Sequence, residues 1–459
     1  MPRKVPLERA IEGTKKSEGK KDGIMRRILS MLLCLAMLCV MCAGAAVAEG
    51  EKKQFEIWLP CNTQPTEEDN EMWYGLINGF QTAYPDYEVI VTPIGENSDD
   101  ANAKWQMAAA SNNLPDMLYA SFGYVDDWAN AGLLLNLEGK LDAETMDRFV
   151  DGAVEYTNQW NEVEGIYGLP TRAETQGWFF NTDLFEQVGL EIPTTWTEWM
   201  NCINVFLENG IQPIQHGGLD IWSIWGYHAM FCNYGLDYDM AMQLQNRELK
   251  FADCDAFVKT FERIAEMAAA GAYNDDVATL NDSVANARFA AGECAMYNGF
   301  DTKYTAFVDM LATEESDIAN HCVFGFGPDF EDGPEGYCGI RMYGWTLMCS
   351  SKLEQDADSL EAAMAFLKYF FSEEGTQIVE QYQVPATEFT VQDTEDLTML
   401  EASIYESYLA DITPVPDSNQ AWFDQSIKPT YRNAVTGLIC GTLTVDEALR
   451  MMQDWADTM

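Results

Sequence analysis

The order of hydrophobic and polar positions in the first part of the chain predicts alternating strands and helices. Phe55–Leu59 alternates and stops at a proline, Tyr87–Val91 follows a Pro-Asp turn, and Asp116–Tyr119 follows another proline, as is typical of strands. Between them, Trp73–Tyr84 and Trp105–Ala110 carry apolar residues at helical spacing. This order predicts a parallel sheet with crossover helices.

The same signals continue farther along the chain. Trp178–Phe180 is a short apolar run that favours a buried strand. Thr195–Glu198 and Thr444–Glu447 have the spacing of capping boxes and predict the starts of two helices. Phe257–Ala270 is strongly amphipathic, and the glycine that follows predicts its end. The chain therefore has an α/β pattern throughout.

The amino terminus has the pattern of a secretory signal. Met25–Arg27 is basic, Ile28–Met41 is apolar but short for a membrane span, and small residues lead to Ala48. We exclude the polar residues 1–24 from fold reasoning and expect cleavage after Ala48, with lipidation at Cys42 or a retained anchor as alternatives. We therefore expect an exported protein on the outer face of the cell envelope or outside the cell.

Length and charge narrow the class of protein. At 459 residues the chain is too long for one ordinary core, so two domains are expected. A net charge of −47 repels nucleic acid and anionic lipid, and it argues against a strongly anionic ligand. Nine cysteines beyond the leader are scattered, mostly in apolar contexts, without the spacing of a disulfide framework or zinc site. We expect small core residues there, and no metal or cofactor.

Four segments in order carry a family resemblance. Gly165–Pro170 reads GIYGLP, Trp178–Phe185 reads WFFNTDLF, Gly189-Leu190 follows, and Pro193–Trp196 reads PTTW. Together they resemble the family 1 extracellular solute-binding proteins of carbohydrate ABC importers, which are maltose-binding-protein-like. The resemblance extends from about Phe55 to the carboxyl end.

The resemblance implies a two-lobed fold of the type II periplasmic-binding-protein class. Each lobe would be a mostly parallel sheet flanked by helices, and a hinge of several chain crossings would join them. We expect residues 1–48 to be an extension plus signal peptide, 49–170 and 346–400 to form lobe I, and 171–345 and 401–459 to form lobe II.

The resemblance also implies a function. The chain would capture a sugar or oligosaccharide in the interlobe cleft and deliver it, as a monomer, to the permease subunits of an ABC importer. The same fold could bind another polar solute, such as a polyamine or peptide. A secreted glycoside hydrolase is a further alternative because 74 acidic residues can supply two carboxylates. However, no hydrolase or nucleotide-binding motif is present, and we expect no enzyme.

A sugar-binding site needs aromatic rings that pack on the C–H faces of the sugar. It also needs carboxylates, amides and arginines that bond the hydroxyl groups. Such side chains follow the predicted strands and the family-like segments. The candidate ligand-binding residues are Asn62, Thr63, Tyr119, Ser121, Phe122, Arg172, Glu174, Asp220, Trp222, Trp225, Asn298, Phe300, Asp301, Arg341, Tyr343, Trp345 and Trp422.

Some of these positions follow from the resemblance. Glu174 corresponds to a ligand carboxylate of the maltose-binding relative, and Asp220 and Trp222 match positions that bond and stack on sugar. Trp225 fits the core as well as the cleft. Arg341 has two interpretations, a bond to a ligand oxygen or a pair with a carboxylate such as Glu174.

Overall fold

The chain builds two β-sheets with helices packed against them. The computed structural model describes residues 52–95, 98–220, 227–333, 338–388, 397–409, 413–415, 422–424 and 426–459. The strands are β1 (Lys53–Leu59), β2 (Tyr87–Pro93), β3 (Met117–Ser121), β4 (Gly168–Pro170), β5 (Glu174–Asn181), β6 (Gln212–Gln215), β7 (Cys294–Phe300), β8 (Cys322–Gly325), β9 (Cys338–Met342), β10 (Trp345–Cys349) and β11 (Thr413–Val415). The predicted positions of Phe55, Tyr87, Met117 and Trp178 in strands are confirmed.

The helices fill the connections between the strands. They are α1 (Glu71–Ala83), α2 (Ser98–Ala110), α3 (Val125–Asn130), α4 (Ala143–Met146), α5 (Ala153–Asn158), α6 (Thr182–Val188), α7 (Trp196–Glu208), α8 (His228–Asn233), α9 (Tyr238–Gln245), α10 (Asp255–Ala270), α11 (Asp282–Ala290), α12 (Tyr304–Ala312), α13 (Ala357–Phe370), α14 (Glu373–Val379), α15 (Met399–Leu409), α16 (Ile427–Ile439) and α17 (Val445–Thr458). The α/β pattern predicted from the sequence is confirmed.

Local capping chemistry sets several helix ends as predicted. The side chains of Thr195 and Thr444 each accept a hydrogen bond from the backbone N–H of a glutamate three residues later. The carboxylate of that glutamate accepts a hydrogen bond from the backbone N–H of the threonine. Helix α10 ends at Gly271, whose φ of 85° lies in the left-handed region that glycine adopts without strain. These short-range signals hold because both partners lie within one helical turn.

The two sheets have mixed strand directions. The first has the order β2-β1-β3-β10-β4, and the second has the order β11-β9-β5-β7-β6 with β8 also paired to β5. In the first sheet, β1 runs parallel to β2 and β3, as expected. In the second, β6 runs parallel to β7, and β9 runs parallel to β11.

The expectation of mostly parallel sheets is corrected at β5 and β10. Strand β10 runs antiparallel to β3 and β4, and β5 runs antiparallel to β7, β8 and β9. Parallel neighbours need a crossover of about a dozen residues. Here β5 follows β4 after residues 171–173, and β10 follows β9 after residues 343–344. Each of these two strands therefore enters its sheet directly from the other sheet, without the crossover within one sheet that a parallel pair requires.

Each sheet has its own apolar core. The first-sheet core packs Phe55 and Leu347 against Trp73 of α1 and Phe366 of α13. The larger second-sheet core packs β5 against α7, α10, α16 and α17, and all eight residues of β5 are buried. Two cores of this kind account for the length of the chain.

Several cysteines lie in these cores. Cys202, Cys254, Cys294, Cys322 and Cys349 are buried, and burial raises the pKa of each thiol. A raised pKa keeps the thiol protonated and unreactive. Their interpretation as small core residues is confirmed for these five.

Across the described ranges, we find no helix both long enough and apolar enough to span a membrane.

Candidate functional site

The two sheets meet where the ends of β3 and β10 face the ends of β5, β7 and β9, and we call this place the seam. Phe122, directly after β3, packs in one small apolar cluster with Phe300 of β7 and with Ile340 and Met342 of β9. The chain also passes between the sheets here, through residues 171–173 and 343–344. The seam therefore brings together segments far apart in sequence.

An aromatic pair marks the first-sheet side of the seam. The rings of Tyr119 and Trp345 stack with centroids 4.8 Å apart and an interplanar angle of 26°. Tyr119 is 5% exposed, while Trp345 is only partly buried. The pair exists because β3 and β10 are antiparallel neighbours, so that side chains at their adjoining ends share one face.

An ion pair between half-buried Arg172 and buried Glu174 lies beside these rings. Arg172 and Glu174 form a salt bridge, and Arg172 Nη1 donates to Gln383 Oε1 over 3.1 Å. The guanidinium carbon lies 5.6 Å from the centroid of the Trp345 ring, within the range of a cation–π contact. Burial lowers the pKa of Arg172, but the charge and hydrogen bond of Glu174 together with nearby Tyr119 and Asp301 raise it by more, so the net pKa lies above its usual value.

Gly344 makes room for this pair. A Cβ atom at Gly344 would collide with the Glu174 carboxylate. The passage from β9 to β10 therefore needs a residue without a side chain at this position. In the motif Tyr343-Gly344-Trp345, the glycine lets the Glu174 carboxylate come close, and the next residue places its ring against Tyr119 on the first-sheet side of the seam.

Asp301 lies just after β7 and is 1% exposed. Burial raises the pKa of its carboxyl to about 7, a hydrogen bond from Tyr408 opposes that rise, and the negative charge of Glu174 adds to it. The Tyr408 hydroxyl donates to Asp301 Oδ2. Asp301 is therefore poised between its neutral and ionised forms near neutral pH.

Arg341 lies on the same side of the seam as Tyr408. Its Nη2 donates to the Ser407 carbonyl oxygen over 2.7 Å, and its guanidinium carbon lies 4.9 Å from the Tyr408 ring centroid. Glu174 takes Arg172 as its partner in the salt bridge. Both interpretations of Arg341, a bond to a ligand oxygen and a pair with a carboxylate such as Glu174, stay predictions.

Further predicted residues lie at the seam in supporting positions. Tyr343 packs edge-on against Tyr156 at 5.5 Å, and Tyr156 also contacts Phe122 at 5.4 Å. Asn298 Nδ2 donates to the Gly177 carbonyl oxygen over 3.1 Å, which joins β7 to β5. Ser121 accepts the backbone N–H of Gly123 and so caps a short turn.

Other predicted residues lie in loops or in a core. Asn62 and Thr63 are exposed after β1, where the Thr63 hydroxyl donates to Asp69. Asp220 accepts the backbone N–H of Asp282 over 2.7 Å at the start of α11. Trp422 is 8% exposed and packs in the second-sheet core. Trp222 and Trp225 lie outside the described residues.

Sequence reasoning missed three residues that contact the predicted ones. Tyr156 comes from α5, Gln383 follows α14, and Tyr408 comes from α15. None lies at the end of a predicted strand or in a family-like segment, so no sequence signal distinguished them from surface residues. Within the described part of the chain, no cluster of histidine, cysteine and carboxylate side chains could hold a metal ion.

Comparisons with known proteins agree with this architecture. The "Multiple sugar-binding protein" of Streptococcus mutans serotype c is 22% identical over 191 residues, which are 41% of this chain and 42% of that protein. A chitin oligosaccharide binding protein superimposes with a TM-score of 0.76 at 21% identity, over 89% of this chain and 99% of that one. The solute-binding protein RafE in complex with raffinose gives a TM-score of 0.71 at 16% identity, over 88% and 99%.

These likenesses carry different weight. The curated relative is matched over less than half its own length, whereas the solved structures are matched along nearly all of theirs, which establishes a two-lobed, type II periplasmic-binding-protein-like fold. Residues 64–377 match the family described as bacterial extracellular solute-binding protein. That match covers more than half of the chain, and the chain therefore belongs to the bacterial extracellular solute-binding protein family.

Proposed function

We propose that this protein is exported, captures a sugar or oligosaccharide at the seam, and delivers it to the permease of an ABC importer. One observation carries the proposal: the stacked Tyr119 and Trp345 rings lie directly beside the Arg172–Glu174 pair. The names of the relatives, which are sugar- and oligosaccharide-binding proteins, support the same class of ligand.

The arrangement fits the surface of a pyranose. A sugar ring has apolar C–H faces that pack on aromatic rings, and hydroxyl groups that need both donors and acceptors. Trp345 offers part of a ring surface, and the Arg172 guanidinium, paired with Glu174, lies 5.6 Å from its ring centroid. Charge-assisted bonds to hydroxyl groups would fix the orientation of the ligand.

We further propose the lobe boundaries expected from the sequence. Strands β1–β4 and β10 fall in 49–170 and 346–400, apart from the first residue of β10, and strands β5–β9 and β11 fall in 171–345 and 401–459. A ligand touching residues of both sheets stabilises the arrangement in which the lobes are close together. We propose that the protein acts as a monomer and does not turn over its ligand.

A binding screen tests the proposal. The chain is titrated calorimetrically with raffinose, maltotriose, cellotetraose, xylotetraose and N-acetylated chitin tetramer, and its thermal unfolding is followed with each. A ligand at a hundredfold excess over Kd stabilises the folded protein by about 2.7 kcal/mol. We expect at least one of these sugars to bind and to raise the unfolding temperature.

The variants Trp345→Ala and Glu174→Gln test whether the sugar binds at the seam. Each removes a group from the seam, so each should weaken sugar binding by about tenfold or more. Tyr84→Ala removes an aromatic side chain that is 40% exposed outside the seam, and it should leave the affinity unchanged. Affinities that respond equally to all three variants, or the absence of binding by every sugar, would contradict the proposal.

A further inference from the structure

A second aromatic pair joins the first-sheet side of the molecule to the second-sheet side. The rings of Trp160 and Tyr238 stack with centroids 5.0 Å apart and an interplanar angle of 30°. Trp160 is partly buried, and Tyr238 is 42% exposed. Neither residue lies in the passages between the sheets, at residues 171–173 and 343–344. The stack is therefore a non-covalent contact that no short chain connection enforces.

The first sheet holds Trp160 in place. The residue follows α5, whose last residue, Asn158, donates to the Gly168 carbonyl oxygen over 2.9 Å. The Asn158 side chain also accepts the backbone N–H groups of Tyr167 and Gly168, over 2.8 and 3.1 Å. Gly168 begins β4, the edge strand of the first sheet. These three hydrogen bonds fix the turn that carries Trp160 to that edge.

The partner ring belongs to the second sheet. Tyr238 is the first residue of α9, and Ala241 and Leu244 on the same helix are fully buried in the second-sheet core. Trp160 itself packs against that core. A ring that is fixed to the first sheet thus reaches the second one.

Two features oppose this contact. Trp160 Nε1 is buried without a hydrogen-bond partner among the described residues, and burial of an unpaired donor is unfavourable. Near the other end of α9, the backbone N–H of Asp424 donates to Gln245 Oε1 over 2.8 Å. Burial and the negative charge of Asp424 raise the pKa of Asp127 on α3, so like charges face each other there. Partial opposition of this kind suits a contact that must open again to release a ligand.

We infer that Trp160 and Tyr238 are a positioning pair, whose stack holds the two sheets together around a bound ligand and slows its release without touching it. This inference rests on the proposed function and goes beyond it, because the pair lies outside the candidate ligand-binding residues. A ligand that contacts both sheets favours the same arrangement as the stack, so each stabilises the other.

Substitution of the two rings tests the inference. Calorimetry uses every sugar of the screen above that binds the parent protein. Trp160→Ala and Tyr238→Ala should each weaken binding about 2- to 10-fold, because either change removes the stack. The double variant should bind no more weakly than the weaker single variant. Tyr238→Phe keeps the ring and should bind each sugar as tightly as the parent protein does.

Binding rates distinguish a closing contact from a contact with the ligand. In surface plasmon resonance with immobilised protein, Tyr238→Ala should raise the dissociation rate by the factor that the affinity loses. The association rate should stay within about twofold of the parent value, because the stack forms after the encounter. The factor should be the same for every sugar that binds, whatever its length. A loss confined to the longest sugars would mean that the ring touches the ligand, and it would overturn the inference.

The contact can also be observed without ligand. In protein labelled with 5-fluorotryptophan, the fluorine resonance of Trp160 is the one that disappears in Trp160→Phe. Tyr238→Ala should shift this resonance by removing the neighbouring ring. Tyr84→Ala removes a ring that packs on Phe80 of the same helix–turn segment, and it should leave both the resonance and the affinities unchanged.

The outcomes separate the inference from the proposed function. Unchanged affinities in both alanine variants, additive losses in the double variant, or an unmoved Trp160 resonance in Tyr238→Ala would each overturn the inference and leave sugar capture standing. Absence of binding by every sugar would contradict the proposed function and, with it, the role of the pair in ligand release.

Discussion

The two sides of the seam are built from different chemistry. The first sheet contributes the stacked rings of Tyr119 and Trp345. The second sheet and its connection contribute ionisable groups, among them Glu174 and Asp301, each held by a specific partner. Apolar packing tolerates changes of similar shape, whereas removing one member of a buried polar pair leaves the other uncompensated. The polar side should therefore tolerate substitution far less than the aromatic side.

The largest effect is expected for Glu174→Ala. The substitution leaves Arg172, whose side chain is 20% exposed, without its carboxylate, and this should lower the free energy of unfolding by about 3 kcal/mol. Urea denaturation measures the change. Lys352→Ala removes a half-exposed ammonium group that pairs with Asp116, and it should cost no more than about 1 kcal/mol. An equal loss of unfolding free energy in the two variants would contradict the claim that the polar side of the seam tolerates substitution poorly.

The ionisation of Asp301 should appear in the pH dependence of stability. Its pKa is raised to about 7 in the folded protein, so the folded state binds a proton that the unfolded chain has released. The stabilisation is complete below the unfolded pKa of about 4 and is lost as the pH rises to 7, with a slope of at most about 1.4 kcal/mol per pH unit.

Urea denaturation from pH 4 to 8 measures this slope, and Asp301→Asn should remove its contribution. Asp276 is the matched control of opposite sign, because hydrogen bonds from Arg288 and Asn274 lower its pKa. Its stabilisation is present above the unfolded pKa and is lost as the pH falls, so Asp276→Asn should leave the slope between pH 5 and 7 unchanged. The same slope in Asp301→Asn as in the parent protein would refute the assignment.

A smaller effect is expected where the two sides meet, at Gly344→Ala. The new methyl group collides with the Glu174 carboxylate and should destabilise the fold by about 1–3 kcal/mol. At Gly325 a Cβ atom would lie 3.5 Å from the Phe180 ring, which is ordinary contact. Thermal unfolding should therefore show a clear loss for Gly344→Ala and a much smaller one for Gly325→Ala.

The sequence predicted those features whose partners lie close along the chain. The caps at Thr195 and Thr444 and the end of α10 at Gly271 each depend on residues within one or two turns. The direction of β10 was not predicted, because it depends on a two-residue passage from a different sheet. Local patterns carry no information on which sheet receives the next strand.

The candidate site was predictable where its residues lie close together along the chain. Arg172 and Glu174 were candidates because they follow the segment ending at Pro170, and the structure places them together. Tyr408 and Gln383 reach the seam over more than a hundred residues of sequence, and a single sequence cannot pair such positions. The placement of each predicted residue in ligand contact stays a prediction.

The last helix has a consequence for how the protein is made. Leu449, Met452 and Trp455 of helix α17 belong to the second-sheet core. That core therefore cannot be completed until these residues have been synthesised, whereas the strands of the first sheet are all present by Cys349. The nascent chain must keep the second-sheet core open after the strands of the first sheet have been made.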